Sequence, residues 1–388
     1  MKIAEINTFP TFSIGNIIQE IMEAVEKESE NQIRFFYARG NKINRDNFIY
    51  IGNRLKILSN ALFARLFDND GFCIFSTTNT LITKLKDFDP DIIHIHSLHG
   101  YYANSKILFE YFQKTRAKIV WTIHDLWPIT GHCCYFELQK CDKRKTKCYN
   151  CPQKLQYPKS ILLDNSNRNF KIKKACFTKL SPEKLTLVAP SNYVKEVLEK
   201  SFLSKYKIEI IKNGINPNDF YITTTEKRQR VLLGVASVWD KRKNIDAFIN
   251  VANILKDKWK IILVGKIPNK VNIPNYITYY ERTTSKKELL QLYNQASVFF
   301  NPTLEDTFGM VNLEAQACGC KVLCNKVCGT PETQIGNLYL FTDFSPENLA
   351  MEINSIFEQK LNNIDYKNMT SLDMANEYKS LFKTLLTK

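Results

Sequence analysis

Residues 297–319 read SVFFNPTLEDTFGMVNLEAQACG, and the stretch changes character twice. SVFFNP (297–302) is a short apolar run of strand length, TLEDTFG (303–309) is a polar loop ending in glycine, and MVNLEAQACG (310–319) begins a helix. A strand, a loop over its carboxyl end and a helix form the repeating unit of parallel sheets. The helix start leaves backbone N–H groups open among Phe308, Gly309, Met310 and Val311. Together with the helix dipole they suit a diphosphate, and the missing side chain at Gly309 lets a ligand approach closely. Glu305 or Asp306 can reach one end of that ligand and Glu314 the other. A carboxylate accepts two hydroxyl protons at once. The stretch therefore predicts a nucleotide diphosphate sugar, with sugar hydroxyls at one end and ribose hydroxyls at the other. An acidic helix cap beside a solvated loop is the plainer reading of the same residues.

The same alternation runs through the chain. In the first half, KIAEINTF (2–9), IRFFYAR (33–39), DIIHIHS (91–97), KIVWTIH (118–124) and LTLVAPS (185–191) read as strands, near-continuously apolar as in a sheet covered on both faces. Ile14, Ile17, Ile18, Ile21, Met22 and Val25 recur at helical spacing after the turn near Gly15. In the second half VLLGVAS (231–237), KIILVG (260–265), YITYY (276–280), SVFFNP and KVLCNK (321–326) are strands. Between them lie a helix over 244–256 and one opened by a Ser285/Glu288 capping box. A final helix falls within 370–388. KNGINPNDF (212–220), rich in Asn, Gly and Pro, marks the break between halves.

Length fits this division, since 388 residues suit two domains. No stretch approaches the ~18 apolar residues that span a bilayer. The N-terminus enters a strand at once, without a signal-peptide pattern, so the cytoplasm is the expected compartment. A net charge of +15 favours an anionic partner, although the abundance of Lys throughout allows simple compositional bias. Eleven cysteines, an odd count, argue against a fully paired disulfide framework. Cys73, Cys176, Cys318, Cys320 and Cys324 read as small core residues, with Cys328 in a loop.

The 305–319 stretch resembles the acidic-x7-Glu signature of the retaining GT-B glycosyltransferases of family 4, which precedes A-x-A-C-G. Asp306 stands eight residues before Glu314 and Glu305 one residue earlier, so either carboxylate can be the one that meets the donor sugar. HD (124–125) resembles the family's catalytic-site histidine after a strand of the N-terminal domain, which implies that His124 contacts the donor sugar. NGI (213–215) resembles the start of its C-terminal domain and CGTPE (328–332) a later loop. WDKRKN (239–244) resembles the basic loop that grips the donor phosphates through Arg242 and Lys243. The family's further arginine has no counterpart near Ser237 or Val238, and its paired glycines are reduced to Gly15 in SIGN. The resemblance implies an α/β GT-B fold, two Rossmann-like doubly wound parallel-sheet domains facing across a cleft. It places an acceptor domain at 1–205, a nucleotide-sugar domain at 206–369 and a helix at 370–388 crossing back to the first. It implies transfer of a sugar to a glycan or lipid-linked acceptor, with no cofactor required for catalysis.

GHCCYFELQKCDKRKTKCYNCPQK (131–154) stands apart. Cys148 and Cys151 form a C-x2-C half-site for zinc, which Cys133 or Cys134 with Cys141 would complete as a structural centre. A reduced cysteine-rich loop or a disulfide pair is the alternative. The segment also resembles a subgroup of these transferases associated with capsule, exopolysaccharide or lipopolysaccharide assembly. His94 and His96, at alternate strand positions, read as core or cleft-lining residues. Residues 53–67 place Arg54, Lys56 and Arg65 beside Leu62, Phe63 and Phe67, either packed inside or set against an anionic membrane face. Rival functions are a GT-B epimerase or glucan phosphorylase, and a zinc-containing nucleic-acid-binding protein. The latter lacks any nucleic-acid motif beyond KCDKRKTKC, so no nucleic-acid partner is expected.

Overall fold

The computed structural model describes residues 1–72, 75–223, 226, 228–268 and 271–387. Cys73 lies outside the described residues. The chain forms two compact units, residues 1–212 with 372–388, and residues 213–371.

In the first unit, β1 (Lys2–Asn7), β2 (Gln32–Tyr37), β3 (Phe48–Tyr50), β4 (Ile92–Ile95), β5 (Lys118–Thr122), β6 (Leu185–Ala189) and β7 (Lys207–Ile210) form a parallel sheet in the order β3-β2-β1-β4-β5-β6-β7. The order reverses between β1 and β4, and ligands of open α/β sheets bind outside the carboxyl ends at such a switch point. The helices are α1 (Phe12–Glu26), α2 (Arg54–Phe67), α3 (Ser76–Phe88), α4 (Ser105–Lys114), α5 (Ser166–Phe177) and α6 (Asn192–Glu199).

In the second unit, α7 (Ile245–Leu255), α8 (Lys286–Gln295), α9 (Met310–Ala317) and α10 (Pro346–Glu358) flank six parallel strands. These are β8 (Val231–Val238), β9 (Lys260–Lys266), β10 (Ile277–Tyr280), β11 (Val298–Asn301), β12 (Lys321–Asn325) and β13 (Leu338–Phe341), in the order β10-β9-β8-β11-β12-β13. Here the switch lies between β8 and β11. One face buries Phe299, Leu313 and Tyr293, the other Phe248, Phe300 and Ile353. Cys318, Cys320 and Cys324 are buried in this unit, as is Cys176 in the first.

The last helix, α11 (Ser371–Leu386), buries Met374, Tyr378 and Phe382 against the face of the first sheet that carries Ile3, Ile92 and Val120, beside α1. The boundary expected at 205/206 lies at 212/213, because β7 completes the edge of the first sheet through Ala189 and Ile210. The two ends of the second unit are tied by a bridge from Ile215 to Thr370. A Cβ on Gly214 would come within 2.1 Å of the Thr370 carbonyl oxygen, which accounts for the glycine of NGI. At α8, Ser285 accepts from the Glu288 N–H, but Glu288 answers one residue early, accepting from the N–H and hydroxyl of Thr284.

Candidate functional site

In the second unit the loops after β8 and β11 are stitched together. Trp239 is buried and donates its indole N–H to the Val264 carbonyl. Asp240 then folds the basic loop, accepting from the backbone N–H groups of Arg242 and Lys243. Its Oδ2 also accepts from Nε and Nη2 of Arg242, at 3.1 and 2.8 Å. Asn244, in the left-handed region, caps α7. The Arg242 carbonyl accepts from the Leu304 N–H at 2.6 Å and from the Thr303 hydroxyl.

Lys243 Nζ lies 2.6 Å from Asp306 Oδ2. Burial pushes the Asp306 carboxyl up, but the Lys243 ammonium outweighs it, aided by Arg242 and the Phe308 N–H, and holds it below its ordinary value. Thus neither expected phosphate-gripping cation points alone into solvent, since each carries an aspartate partner. Glu305 is 1% exposed and its neighbour Asp306 only partly covered, so the two acidic residues of the signature face different surroundings.

α9 begins at Gly309, whose φ of 98° is a left-handed conformation that glycine adopts without strain, and no side chain caps the helix. One expectation needs correction. The Phe308 N–H is already directed at Asp306 Oδ1 (3.4 Å) and the Phe308 ring is buried, so the open start consists of Gly309, Met310 and Val311. The CGTPE loop closes on the same place. Gly329 donates its N–H to the Asp306 carbonyl, and a Cβ there would meet the Thr307 carbonyl at 2.1 Å. Buried Asn312 and Gln316 fix α9 to the segment 333–337 through side-chain hydrogen bonds. Glu314 accepts at 2.9 Å from the hydroxyl of Tyr293 on α8, a partner the sequence reading missed. Burial pushes the Glu314 carboxyl up to about 7 against the pull of that hydroxyl.

In the first unit His124 follows β5, with Nε2 2.8 Å from His96 Nδ1. Burial pushes His124 down to about 3 despite Asp125. Asp125 pairs instead with His99 at 2.7 Å and accepts from the Trp127 N–H. His94 and His96 are buried and both meet Glu5 on β1, a residue with a visible signal, a lone carboxylate inside an apolar strand. Gly15 is not in the loop after β1 but within α1, where a Cβ would meet the Pro10 carbonyl carbon at 2.4 Å. Close helix packing thus accounts for that glycine.

In the cysteine segment the Cys133 and Cys151 thiols hydrogen-bond to each other, and Cys148 Sγ accepts from the Gly131 N–H. Cys141 lies near enough to Cys148 to raise its thiol. Cys134 also meets His99 and Asp125, the three donor atoms lying within 4.8 Å of one another. Lys173, fully buried, donates to the Trp127 carbonyl at 2.7 Å and lies within electrostatic reach of Cys133, Cys134 and Cys148. His132 Nδ1 contacts Asp68 at 2.5 Å, while its buried Nε2 has no hydrogen-bond partner among the described residues.

Two family models match the chain, "Glycosyltransferase Family 4" over residues 54–219 and "Glycosyl transferases group 1" over residues 229–359. A provisionally named colanic acid biosynthesis glycosyl transferase of Escherichia coli strain K12 is 23% identical over 77% of this chain and 76% of its own length. The O-antigen chain mannosyltransferase of Salmonella typhimurium is 22% identical over 70% of this chain and 72% of its own. Among solved structures, the pneumococcal O-GlcNAc transferase in complex with UDP and GlcNAc superposes with a TM-score of 0.64 at 12% identity, covering 100% of this chain and 99% of that one. At that identity the likeness shows the fold.

The raised Glu314 carboxyl predicts a pH effect. Between its ordinary value of 4.5 and about 7 the unfolded chain has released this proton and the folded chain has kept it. The stability that Glu314 contributes therefore falls as pH rises through this window. Glu314→Gln cannot ionise, so its thermal midpoint should gain on the wild type between about pH 5 and pH 8. A constant gap across that range would show that Glu314 ionises with its ordinary value.

Proposed function

We propose that this chain, which joins a segment matching the Family 4 model to one matching the group 1 glycosyl transferase model, is a retaining transferase of cell-surface polysaccharide assembly, moving a sugar from a nucleotide diphosphate donor to a glycan or lipid-linked acceptor. The observation that carries this reading is the Lys243–Asp306 pair beside the uncapped start of α9, with Glu314 one turn further in. The N–H groups of Gly309, Met310 and Val311 receive the donor diphosphate, with Lys243 and Arg242 adding positive charge. Glu314 anchors the ribose hydroxyls. Asp306 meets the donor sugar, being less covered than Glu305, and it holds Lys243 in place before the donor arrives. When the anomeric carbon–oxygen bond breaks, its electron pair leaves with the diphosphate, and these fixed donors offset the charge without a divalent ion. The resemblance of HD (124–125) to the family's histidine assigns His124 a role at the donor sugar as well. The family matches favour transfer over epimerisation, and the polysaccharide assignment draws on the names of the Escherichia and Salmonella relatives.

The acceptor reading extends to a membrane surface. No helix among the described residues is long and apolar enough to cross a bilayer. Yet α2 buries only Ile57, Asn60 and Ala64, leaving Leu55 79%, Leu62 58% and Phe63 50% exposed. Interior packing of this helix is therefore set aside. The segment after the cysteines lies along it, Ile161 and Leu163 donating N–H groups to the Arg65 and Leu66 carbonyls, and adds exposed Ile161 and Leu162. With Arg54, Lys56, Arg65 and Lys159 at the surface, this patch suits peripheral contact with anionic lipid at the cytoplasmic membrane face.

A structural zinc held by Cys133, Cys141, Cys148 and Cys151 is proposed beside it. The contact between Cys133 and Cys151 supports Cys133 over Cys134, and because no three of the four sulfurs, all among the described residues, lie within 4.8 Å of one another, zinc would have to draw the loop together around it. Buried Lys173 supplies positive charge next to a thiolate-rich centre, and the orphaned Nε2 of His132, backed by Asp68, is a further donor at its edge.

Three measurements test these assignments. Lys243→Ala should lower transfer from a nucleotide sugar chosen by thermal-shift screening, by about tenfold for each ~1.4 kcal/mol of lost stabilisation. Wild-type turnover would remove the donor site. In liposome sedimentation, binding should need anionic lipid, weaken with added salt and fall in Leu62→Ser/Phe63→Ser; equal binding to neutral vesicles contradicts the surface reading. Metal analysis of chelator-free protein should find about one zinc per chain, lost in Cys148→Ser and Cys151→Ser. A folded, metal-free protein would discard the zinc centre alone.

A further inference from the structure

All five histidines of the chain lie in the first unit, and three of them share one hydrogen-bond path. Tyr378 of α11 meets the Thr122 hydroxyl at 2.8 Å, and that hydroxyl lies 2.8 Å from His94 Nε2. His94 Nδ1 lies 3.1 and 3.0 Å from the two Glu5 oxygens, and His96 Nε2 lies 2.9 Å from Glu5 Oε2. His96 Nδ1 then lies 2.8 Å from His124 Nε2. Glu5, His94 and Tyr378 have no solvent exposure, and His96 is 3% exposed. The rings are also packed. His96 and His124 stack at 12°, while Tyr378 and Phe382 flank His94 at 5.0 and 5.4 Å.

A neutral imidazole has one N–H and one lone pair, so a path of this kind orders its protons. Burial holds His94, His96 and His124 each down to about 3, so all three are neutral near pH 7. His94 Nδ1 reaches both Glu5 oxygens and His96 Nε2 reaches Oε2; burial pushes the Glu5 carboxyl up while the hydrogen bond to His96 pulls it down, and two imidazole N–H groups converging on one carboxyl are best received by the carboxylate. The protons then point inward along both arms. Tyr378 donates to Thr122, Thr122 to His94 and His94 to Glu5. On the other side His124 donates to His96 and His96 to Glu5. Reversing the second arm would place a proton on Glu5 Oε2, 3.0 Å from His94 Nδ1, and leave Oε1 alone to accept from His94.

We infer that Glu5, acting through His96, is the positioning residue for His124: it fixes the imidazole in the stacked orientation with its proton on Nε2 and its lone pair on Nδ1. The lone pair makes His124 an acceptor, suited to a sugar hydroxyl. The functional meaning rests on the reading of His124 as a residue that touches the donor sugar, whereas the proton placement stands on the hydrogen-bond path alone. Tyr378 and Thr122 complete the opposite arm, so α11 contributes to the same order from beyond the second unit.

The test is nitrogen-15 NMR of full-length protein labelled in the histidine rings, read through the two-bond couplings that separate the tautomers. Five ring systems are expected, and His124→Gln identifies the one that matters. His124 should appear as the Nε2–H form alone, unchanged between about pH 6 and pH 8. An Nδ1–H form, a mixture, or ordinary titration in that range overturns the inference in the wild type, whatever the variants do. Glu5→Gln replaces an acceptor-only carboxylate by an amide of the same shape. It should end the single Nε2–H form and lower kcat on the order of tenfold to a hundredfold, with donor KM little changed and the thermal transition retained. A folded Glu5→Gln protein with the wild-type tautomer and kcat also overturns it. The spectrum is read without substrate, so a failure to find sugar transfer would strike the functional reading and leave the proton assignment standing.

Discussion

The ion pair of Lys243 and Asp306 joins loops that leave β8 and β11, the neighbouring strands at which the second sheet reverses its order. A reversal of this kind opens a gap above the carboxyl ends, because the two connections run off to opposite faces. Here the gap is spanned by a charge pair and by the hydrogen bonds of the Arg242 carbonyl. Removing either partner would leave the other as a partly buried charge, a larger loss than an exposed pair incurs. The geometry of the α9 start follows from this bridge, since the backbone of Asp306 also receives the CGTPE loop through Gly329. Any anionic ligand reaching this gap would share Lys243 with an existing partner. The cation is held in place beforehand, at the cost of some of its free attraction for the ligand.

The strands that the sequence shows most plainly are the central ones. β1, β4, β5, β6, β8, β9 and β11 are covered on both faces, and burial writes an apolar run into the chain. β3, β7 and β13 escaped because they are edge strands of three or four residues, with exposed or half-covered positions and no such run. The domain limits shifted for the same reason, as β7 lies just beyond the expected boundary. Local chemistry was legible where one loop carries it, as in WDKRKN and EDTFG. What could not be read was pairing across distance. The sequence offered Asp306 and Lys243 as separate contributors, with nothing to say that they bind each other over 63 positions, nor that Tyr293 answers Glu314. Gly15 shows the converse. Its place near the first turn suggested a ligand, and the structure explains it by the approach of the Pro10 backbone.

The two units handle buried polarity differently. In the second, buried amides such as Asn312 and Gln316 saturate backbone groups of a loop and so fix its shape. In the first, Glu5 and three imidazoles form a path whose members can carry protons, beside the apolar layer of Ile3, Ile92, Val120 and Val188. A network of this kind stabilises only when every member is satisfied, and it then specifies one arrangement among near-equals. The histidines at alternate positions of β4 therefore belong to the ordering of the core as much as to its edge.

The helix that contributes Tyr378 is encoded after the entire second unit. During synthesis, residues 1–212 leave the ribosome lacking the cover for Ile3, Ile92 and Val120, and residues 213–371 must follow before that cover exists. At about 5–20 residues per second this interval lasts roughly 8–30 s. The second unit is contiguous and can close at once, whereas the first waits with an apolar face and one arm of its histidine path unfinished. A nascent chain of this design leaves that apolar face uncovered while the whole second unit is made, and a stop codon at residue 372 would yield a complete second unit attached to an incomplete first one.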